Sequence, residues 1–127
     1  MGRLVGEISI SENASDIIKN KVIGNDGKKK YFVNESDFGR FALAYAINKE
    51  LDVNFDYAKY KSSNSLKTKW HYASIDPDGV YHTILVNLHP DIEINNDYIS
   101  CLIDYTIKFI DDNYFSKNIE LYSEILA

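Results

Sequence analysis

The stretch "SDFGRFALAYAINKE", residues 36 to 50, is too apolar for an ordinary surface helix. Apolar side chains recur in it at i, i+3, i+4 and i+7, the spacing of one helical face. Those residues are Phe38, Phe41, Ala42 and Tyr45, and a second face beside them carries Leu43, Ile47 and Leu51. The positions left for water are Gly39, Arg40, Asn48, Lys49 and Glu50. The pattern predicts a central helix over residues 35–50 that is covered on two sides.

A second apolar helix, predicted over residues 97–113, is the natural cover for the first. Its stripes contain Tyr98, Ile99, Cys101, Leu102, Ile103, Tyr105, Phe109 and Ile110. Polar residues occupy the remaining narrow side: Ser100, Asp104, Lys108 and Asp111. This pattern is typical of a largely buried helix with an acidic edge.

Shorter elements are predicted around these two helices. "EISIS" near the N-terminus alternates apolar and polar residues like a strand, and Tyr31–Val33 is the extended piece that could pair with it. Helices are predicted over residues 12–23 and 116–126, whereas "KYKSSNSLKTK", residues 59 to 69, has the composition of a mobile loop. The expected fold is mainly α (α+β). It is a small single-domain helical bundle over residues 1–127, with one or two short strands near the N-terminus.

Residues 80–88 can be interpreted in two ways. Val80, Thr83, Ile84 and Val86 favour a strand, because β-branched residues suit sheets. The i, i+3, i+4, i+7 spacing favours a helix, and it involves Tyr81, Ile84, Leu85 and Leu88. The helix, with Asp76 as N-cap and Pro77 at its first position, is the preferred prediction.

Composition restricts the class of protein. The 127 residues suit one domain, and no segment has the roughly 18 uncharged apolar residues of a membrane span. The lone Cys101 excludes an internal disulfide framework, so a cytoplasmic protein is expected. Residues 1–70 carry 12 Lys or Arg against 9 Asp or Glu, whereas residues 71–127 carry 2 against 10. This asymmetry is typical of a basic nucleic-acid surface beside an acidic interaction surface, although both could be solvated faces.

No pattern in the sequence indicates an enzyme. His82 and His89 are seven residues apart, and with His71 they lack the spacing of metal ligands, so neither a metal nor a cofactor is expected. Adjacent carboxylates, such as Asp76 with Asp78, are more often capping groups than acid–base pairs. Cys101 lies on an apolar stripe, where a buried structural thiol is expected.

A nucleic-acid surface is the main functional hypothesis from the residues themselves. A basic run beside aromatic residues is the usual composition of such surfaces, and "KTKWHY" has it. The DNA-binding candidates, chosen by charge, are Lys28, Lys29, Lys30, Arg40, Lys67 and Lys69. The alternative is that these side chains are scattered and solvated.

The order of "EISIS", "ENASDIIKNKVI" and "SDFGRFALAYAINKELD" resembles that of ribbon-helix-helix-like modules. More narrowly, "GRFALAYAIN" followed by "DGVYHTILVNL" and an acidic terminal helix resembles small accessory proteins of the bacterial Dnd systems. Those systems place sulfur in the DNA backbone and act in phage defence. The resemblance implies a non-catalytic role in contacting DNA or in assembling larger partners.

Two functions are therefore expected in competition. The first is an accessory or adaptor protein of a prokaryotic DNA-modification or anti-phage defence system, which contacts DNA and a protein partner of the defence complex. The alternative is a phage-encoded acidic inhibitor that binds a host defence complex.

A homodimer is a further expectation, because the apolar faces of helices 35–50 and 97–113 and the edge of "EISIS" need cover. If the segment over residues 52–69 folds over the exposed stripe instead, a monomer results.

Overall fold

A computed structural model gives the structure of this protein over residues 4–23 and 34–117. The strands are β1 (Glu7–Ile10) and β2 (Lys67–His71). The α-helices are α1 (Glu12–Ile17), α2 (Glu35–Asn48), α3 (Tyr57–Ser63), α4 (Tyr72–Ile75), α5 (Val80–Leu88) and α6 (Asn96–Ile110). Helix α1 continues as π-helical turns over Ile18–Ile23, and α6 does so over Asp111–Phe115. The prediction of a mainly α fold with one or two short strands near the N-terminus is confirmed, and β1 is the strand near the N-terminus.

Helices α2 and α6 pack against each other at the centre, as predicted. On the first predicted face of α2, Phe38 and Ala42 are fully buried and Tyr45 nearly so, whereas Phe41 is half-buried. Leu43 on the second face is also fully buried. The apolar periodicity of both helices therefore identified the core correctly.

Gly39 is buried, and the prediction that it faces water is wrong. A Cβ atom at this position would lie 2.8 Å from Trp70 Cζ3 and 2.9 Å from Ile75 Cδ1. The absence of a side chain thus allows α2 to approach β2 and α4 closely. The periodic pattern of apolar side chains did not predict this contact, because glycine has no side chain and does not contribute to the pattern.

The segment predicted as a loop contains regular structure. Residues 59–69 run from α3 into β2, which pairs antiparallel with β1, so that Ile8 lies opposite Trp70. Strand β2 was not recognisable because its sequence, KTKWH, is polar and mostly exposed, and its strand conformation depends on a partner far away in the chain. The other expected partner of β1, Tyr31–Val33, lies outside the described residues.

The polar side of α6 is largely withdrawn from water: Ser100 and Asp104 are buried, and Lys108 and Asp111 are only partly exposed. It lies along the edge of β1 that does not face β2. Asn96 Nδ2 donates to the carbonyl of Val5 at 2.7 Å, and Ser9 N donates to Ser100 Oγ at 2.9 Å. Ser11 N donates to Asp104 Oδ1 at 2.8 Å. Side chains of α6 therefore satisfy the backbone of β1 where a further strand would otherwise pair.

Residues 80–88 form a helix, as preferred from the sequence. It begins at Val80 rather than at Pro77, and Gly79 precedes it with a φ of 71°. Asp76 still caps it, because its buried carboxylate accepts from the backbone N–H groups of Tyr81 at 3.2 Å and His82 at 3.0 Å. The N-terminal hydrogen-bonding capacity of α5 is thus met by a residue four positions before the helix.

The face of α6 proposed for a dimer contact is covered within one chain. Phe55, just before α3, packs with its ring centroid 5.8 Å from that of Tyr98 and 5.3 Å from that of Tyr105. Tyr60 of α3 lies 5.8 Å from Tyr105 in the same way. Because the segment over residues 52–69 folds over α6 and the outer edge of β1 is satisfied, neither feature argues for self-association. Most of the predicted helix at residues 116–126 lies outside the described residues.

Candidate functional site

Two of the predicted DNA-binding lysines belong to β2 and line the same groove. Lys67 and Lys69 are two residues apart on this strand, and they line a groove with Lys19 from the turns that continue α1. The groove has a volume of about 310 Å³ and also exposes Ser15 and Thr68. We call it the lysine groove. Pairing of β1 with β2 creates it, because α1 follows β1 directly.

The three lysines of the groove differ in their electrostatic surroundings. Lys69 Nζ lies 2.8 Å from Glu35 Oε1 and 3.2 Å from Ser15 Oγ, and its side chain is only 20% exposed. Lys67 and Lys19 are exposed. Lys69 is therefore held in place by an ion pair, and the two exposed lysines are better disposed to meet a phosphate group.

The lysine groove also has acidic residues on its lining, Glu12 and Asp16 at the start of α1. With Glu35, which pairs with Lys69, three carboxylates stand against three lysines, so contact with a nucleic-acid backbone would depend on the two exposed lysines rather than on a net positive charge of the groove.

The other DNA-binding candidates are not brought to the groove. Arg40 is exposed on α2, and its Nη2 atom donates to the carbonyl of Ser74 at 2.9 Å. Lys28, Lys29 and Lys30 lie outside the described residues. By sequence Lys19 is one of the lysines that could line a common basic face, but it was not among the chosen DNA-binding candidates, because only the tertiary structure brings α1 beside β2. The closeness of Lys67 and Lys69 in the sequence was the available signal, but their spacing does not predict one face, because an irregularity in the pairing of β1 with β2 leaves Lys69 without a partner residue.

The histidines are separated in the structure. His71 Nδ1 is 3.6 Å from Glu7 Oε2 at the surface, whereas His82 Nε2 lies 3.0 Å from the carbonyl of Ile94 in the interior. In the part of the chain that the structure describes, no group of three His, Cys, Asp or Glu side chains is placed to hold a metal ion.

His89 forms a contact that sequence reasoning did not foresee. Its Nε2 atom lies 2.6 Å from Oδ2 of Asp52, which is 4% exposed. The pair fastens the turn after α2 to the C-terminal end of α5. A separation of 37 residues in the chain concealed this pair.

A small apolar pocket lies between α3 and α6. Its volume is about 220 Å³, and Phe55, Tyr60 and Tyr105 supply its aromatic wall. Burial and the adjoining Asp104 carboxylate raise the pKa of Tyr60, so its hydroxyl stays protonated and donates to Asp104. The pocket wall is thereby fixed in place by a partly buried hydrogen bond.

Cys101 is buried on α6, in agreement with the prediction of a structural thiol. Burial is the main cause that raises the pKa of this thiol to about 11. At pH 8 this leaves roughly 100-fold less thiolate than an exposed cysteine carries, and the thiolate is the reactive form.

We therefore expect Cys101 in the folded protein to react with iodoacetamide at pH 8 at least about 100-fold more slowly than in denaturant. Mass spectrometry over a time course measures both rates. Labelling at similar rates in the two conditions would mean that α6 does not bury this thiol.

A second surface is formed by apolar side chains that helix α5 leaves exposed. Val80, Ile84 and Leu88 follow one another at intervals of four residues and are 53%, 36% and 55% exposed. Ile92, just beyond the helix, is 45% exposed. We call these four residues the α5 stripe. The opposite face of the helix is buried through His82 and Leu85, so the stripe is separate from the core.

No family model, no curated protein and no solved structure matches this sequence. Among the helices that the structure describes, none combines the length and apolarity needed to cross a membrane.

Proposed function

We propose that this chain is a non-catalytic accessory or adaptor protein of a prokaryotic DNA-modification or anti-phage defence system. It contacts the DNA backbone through the lysine groove and a protein partner through its acidic C-terminal half. The assignment to defence systems rests on the resemblance of "GRFALAYAIN" and "DGVYHTILVNL" to Dnd accessory proteins.

The single observation that supports DNA contact is the convergence of Lys19, Lys67 and Lys69 on one groove. Phosphate contacts from lysine need no base-specific geometry, so these lysines would meet the backbone of duplex DNA without reading its sequence. Lys67 contributes most in this proposal, because its ammonium group is exposed, whereas Lys69 is already paired with Glu35.

Charge reversal tests this proposal. We expect Lys67→Glu to weaken binding to fluorescein-labelled duplex DNA about five- to tenfold at low salt, with little dependence on base sequence. The slope of log K against log salt should also become shallower, by about one, since fewer counterions are released. Fluorescence anisotropy over a salt series measures both quantities.

Lys49→Glu is the matched control, because it makes the same change of charge at another exposed lysine. Lys49 follows the C-terminal end of α2, whereas Glu35, which pairs with Lys69, begins this helix. The two positions are roughly 20 Å apart along the helix axis. If both variants lost the same affinity for DNA, the effect would come from net charge and not from the lysine groove. If the wild-type protein did not bind DNA at low salt, DNA contact would be refuted.

A second candidate function is a phage-encoded acidic inhibitor that binds a host defence complex. The observation that favours it is the charge of residues 71–127, which carry 2 basic and 10 acidic residues and include the α5 stripe. Competition assays separate the two functions: an inhibitor displaces DNA from its partner, whereas an accessory protein binds DNA itself.

A further inference from the structure

The structure points to a specific occupant for the α5 stripe: we propose that it docks a basic amphipathic helix of a partner protein. This inference deepens the protein-binding half of the proposed function and rests on that half alone. It does not depend on DNA contact through the lysine groove.

The α5 stripe is the main apolar patch on the described surface. Over all the described residues six large apolar side chains are exposed, and four of these six belong to the stripe. Val80 and Leu88 are about 12 Å apart along the helix axis at 1.5 Å per residue. Residues at intervals of four make one continuous line on a helix, so the stripe matches two turns of a second helix packed alongside.

Helix α5 is held rigidly before any partner arrives. Its N-terminus is fixed by the buried carboxylate of Asp76, and its C-terminus by the 2.6 Å contact between His89 and Asp52. Leu85 anchors the middle in the core with no exposed surface. A partner therefore binds a preformed face, and little ordering of this chain opposes association.

Charge selects the partner. Asp78 lies two residues before Val80, Asp91 and Glu93 flank Ile92, and all three acidic residues are exposed. The chain contains no Lys or Arg from residue 70 to residue 107. A second copy would bring the same acidic residues against these, and like charges across an interface oppose binding.

Two features of the surface have to be matched: the apolar stripe and the exposed acidic residues near its ends. A partner helix matches both if it has apolar residues at i, i+3, i+4 and i+7 and lysines or arginines beside them. Its apolar face covers the stripe, and its basic residues meet the acidic residues at both ends of α5. This complementarity also makes association faster and more sensitive to salt than apolar contact alone.

Three synthetic peptides of about 16 residues, roughly four helical turns, test the proposal. One is a Leu/Lys amphipathic helix, the second replaces each Lys by Glu, and the third scrambles the sequence of the first. By fluorescence anisotropy with the full chain, we expect the basic helix to bind in the micromolar range. The other two should bind at least about tenfold more weakly.

Variants assign the binding to the stripe. The double variant Ile84→Ser/Leu88→Ser should weaken binding of the basic peptide at least about tenfold. Val5→Ser is the matched control, since Val5 is 79% exposed and lies outside the stripe, and it should bind like wild type. Thermal unfolding followed by circular dichroism checks that each variant is folded. The double variant Asp91→Lys/Glu93→Lys should weaken binding of the basic peptide and strengthen binding of the acidic peptide.

Several outcomes would overturn the inference. Equal binding of the basic and scrambled peptides would show general charge attraction, and so would unchanged binding by the double serine variant. A wild-type dimer in light scattering that this variant converts to a monomer would make a second copy the occupant. Lys67→Glu should leave peptide binding unchanged, so that failure of DNA contact and failure of this inference can be told apart.

Discussion

Replacing Asp104 by alanine should lower the free energy of unfolding by about 3–5 kcal/mol, the usual cost of removing one partner from a buried ionic network. Asp104 is fully buried on α6. Its Oδ1 accepts from the backbone N–H of Ser11 at 2.8 Å and from the Ser11 hydroxyl at 2.9 Å. Its Oδ2 accepts from the Tyr60 hydroxyl and lies 3.1 Å from Lys108 Nζ. Alanine would leave the backbone N–H and the hydroxyl of Ser11 buried without this acceptor, and the half-buried Tyr60 hydroxyl would lose its partner.

Urea denaturation followed by circular dichroism measures this loss. Asp97→Ala on the same helix is the matched control, because Asp97 pairs with Lys61 at the surface and a surface pair contributes at most about 1 kcal/mol. Asp104→Asn keeps one acceptor oxygen and should cost less than alanine. A loss under about 1 kcal/mol for Asp104→Ala would mean that the network does not hold β1 and α3 to α6.

The same network supports the proposed binding surface. Ser11 is the N-cap of α1, and its side chain accepts from the N–H of Ala14 while it donates to Asp104. Asp104 thereby fixes the start of the element that carries Lys19 to the lysine groove. Loss of the network should consequently weaken DNA contact along with stability.

Phe38→Ala should lower the free energy of unfolding by about 3–5 kcal/mol, the range for truncating a buried phenylalanine. Phe38 has no exposed surface and belongs to the core between α2 and α6. Removing its ring leaves a cavity that rigidly packed neighbours fill only in part, so lost contacts add to the lost burial of apolar surface.

Phe41 provides the internal comparison, since the same substitution there removes the same ring. Its centroid lies 6.0 Å from that of Phe38, but Phe41 is only half-buried. We expect Phe41→Ala to cost roughly half as much, because part of its ring already meets water. If denaturation gave equal losses, or a larger loss at Phe41, the order of burial along α2 would be wrong.

The sequence by itself determined the helices whose burial follows a period. Helices α2 and α6 were predicted to within a few residues, because their apolar spacing repeats with the turn of the helix and burial rewards that spacing directly. Helix α5 was preferred over a strand for the same reason. These are properties of contiguous residues, which a linear sequence carries in full.

The sequence was misleading where polar residues and glycine meet the interior. Ser100 and Asp104 have the composition of a solvated helix edge, yet they are buried because the backbone of β1 needs hydrogen-bond partners there. Gly39 was assigned to water because it has no side chain, and that lack is what allows Trp70 to approach α2. In each case the decisive partner lies far away in the chain.

The sequence alone therefore determined the apolar stripes, the mainly α class and the basic and acidic halves of this protein. Only the tertiary structure decided that β2 is a strand, that Lys19 joins Lys67 in one groove and that Asp52 meets His89. The reason is physical: apolar burial imposes a periodic pattern on neighbouring residues, whereas strand pairing, ion pairs and grooves join residues at unrelated positions. No local pattern records those partners.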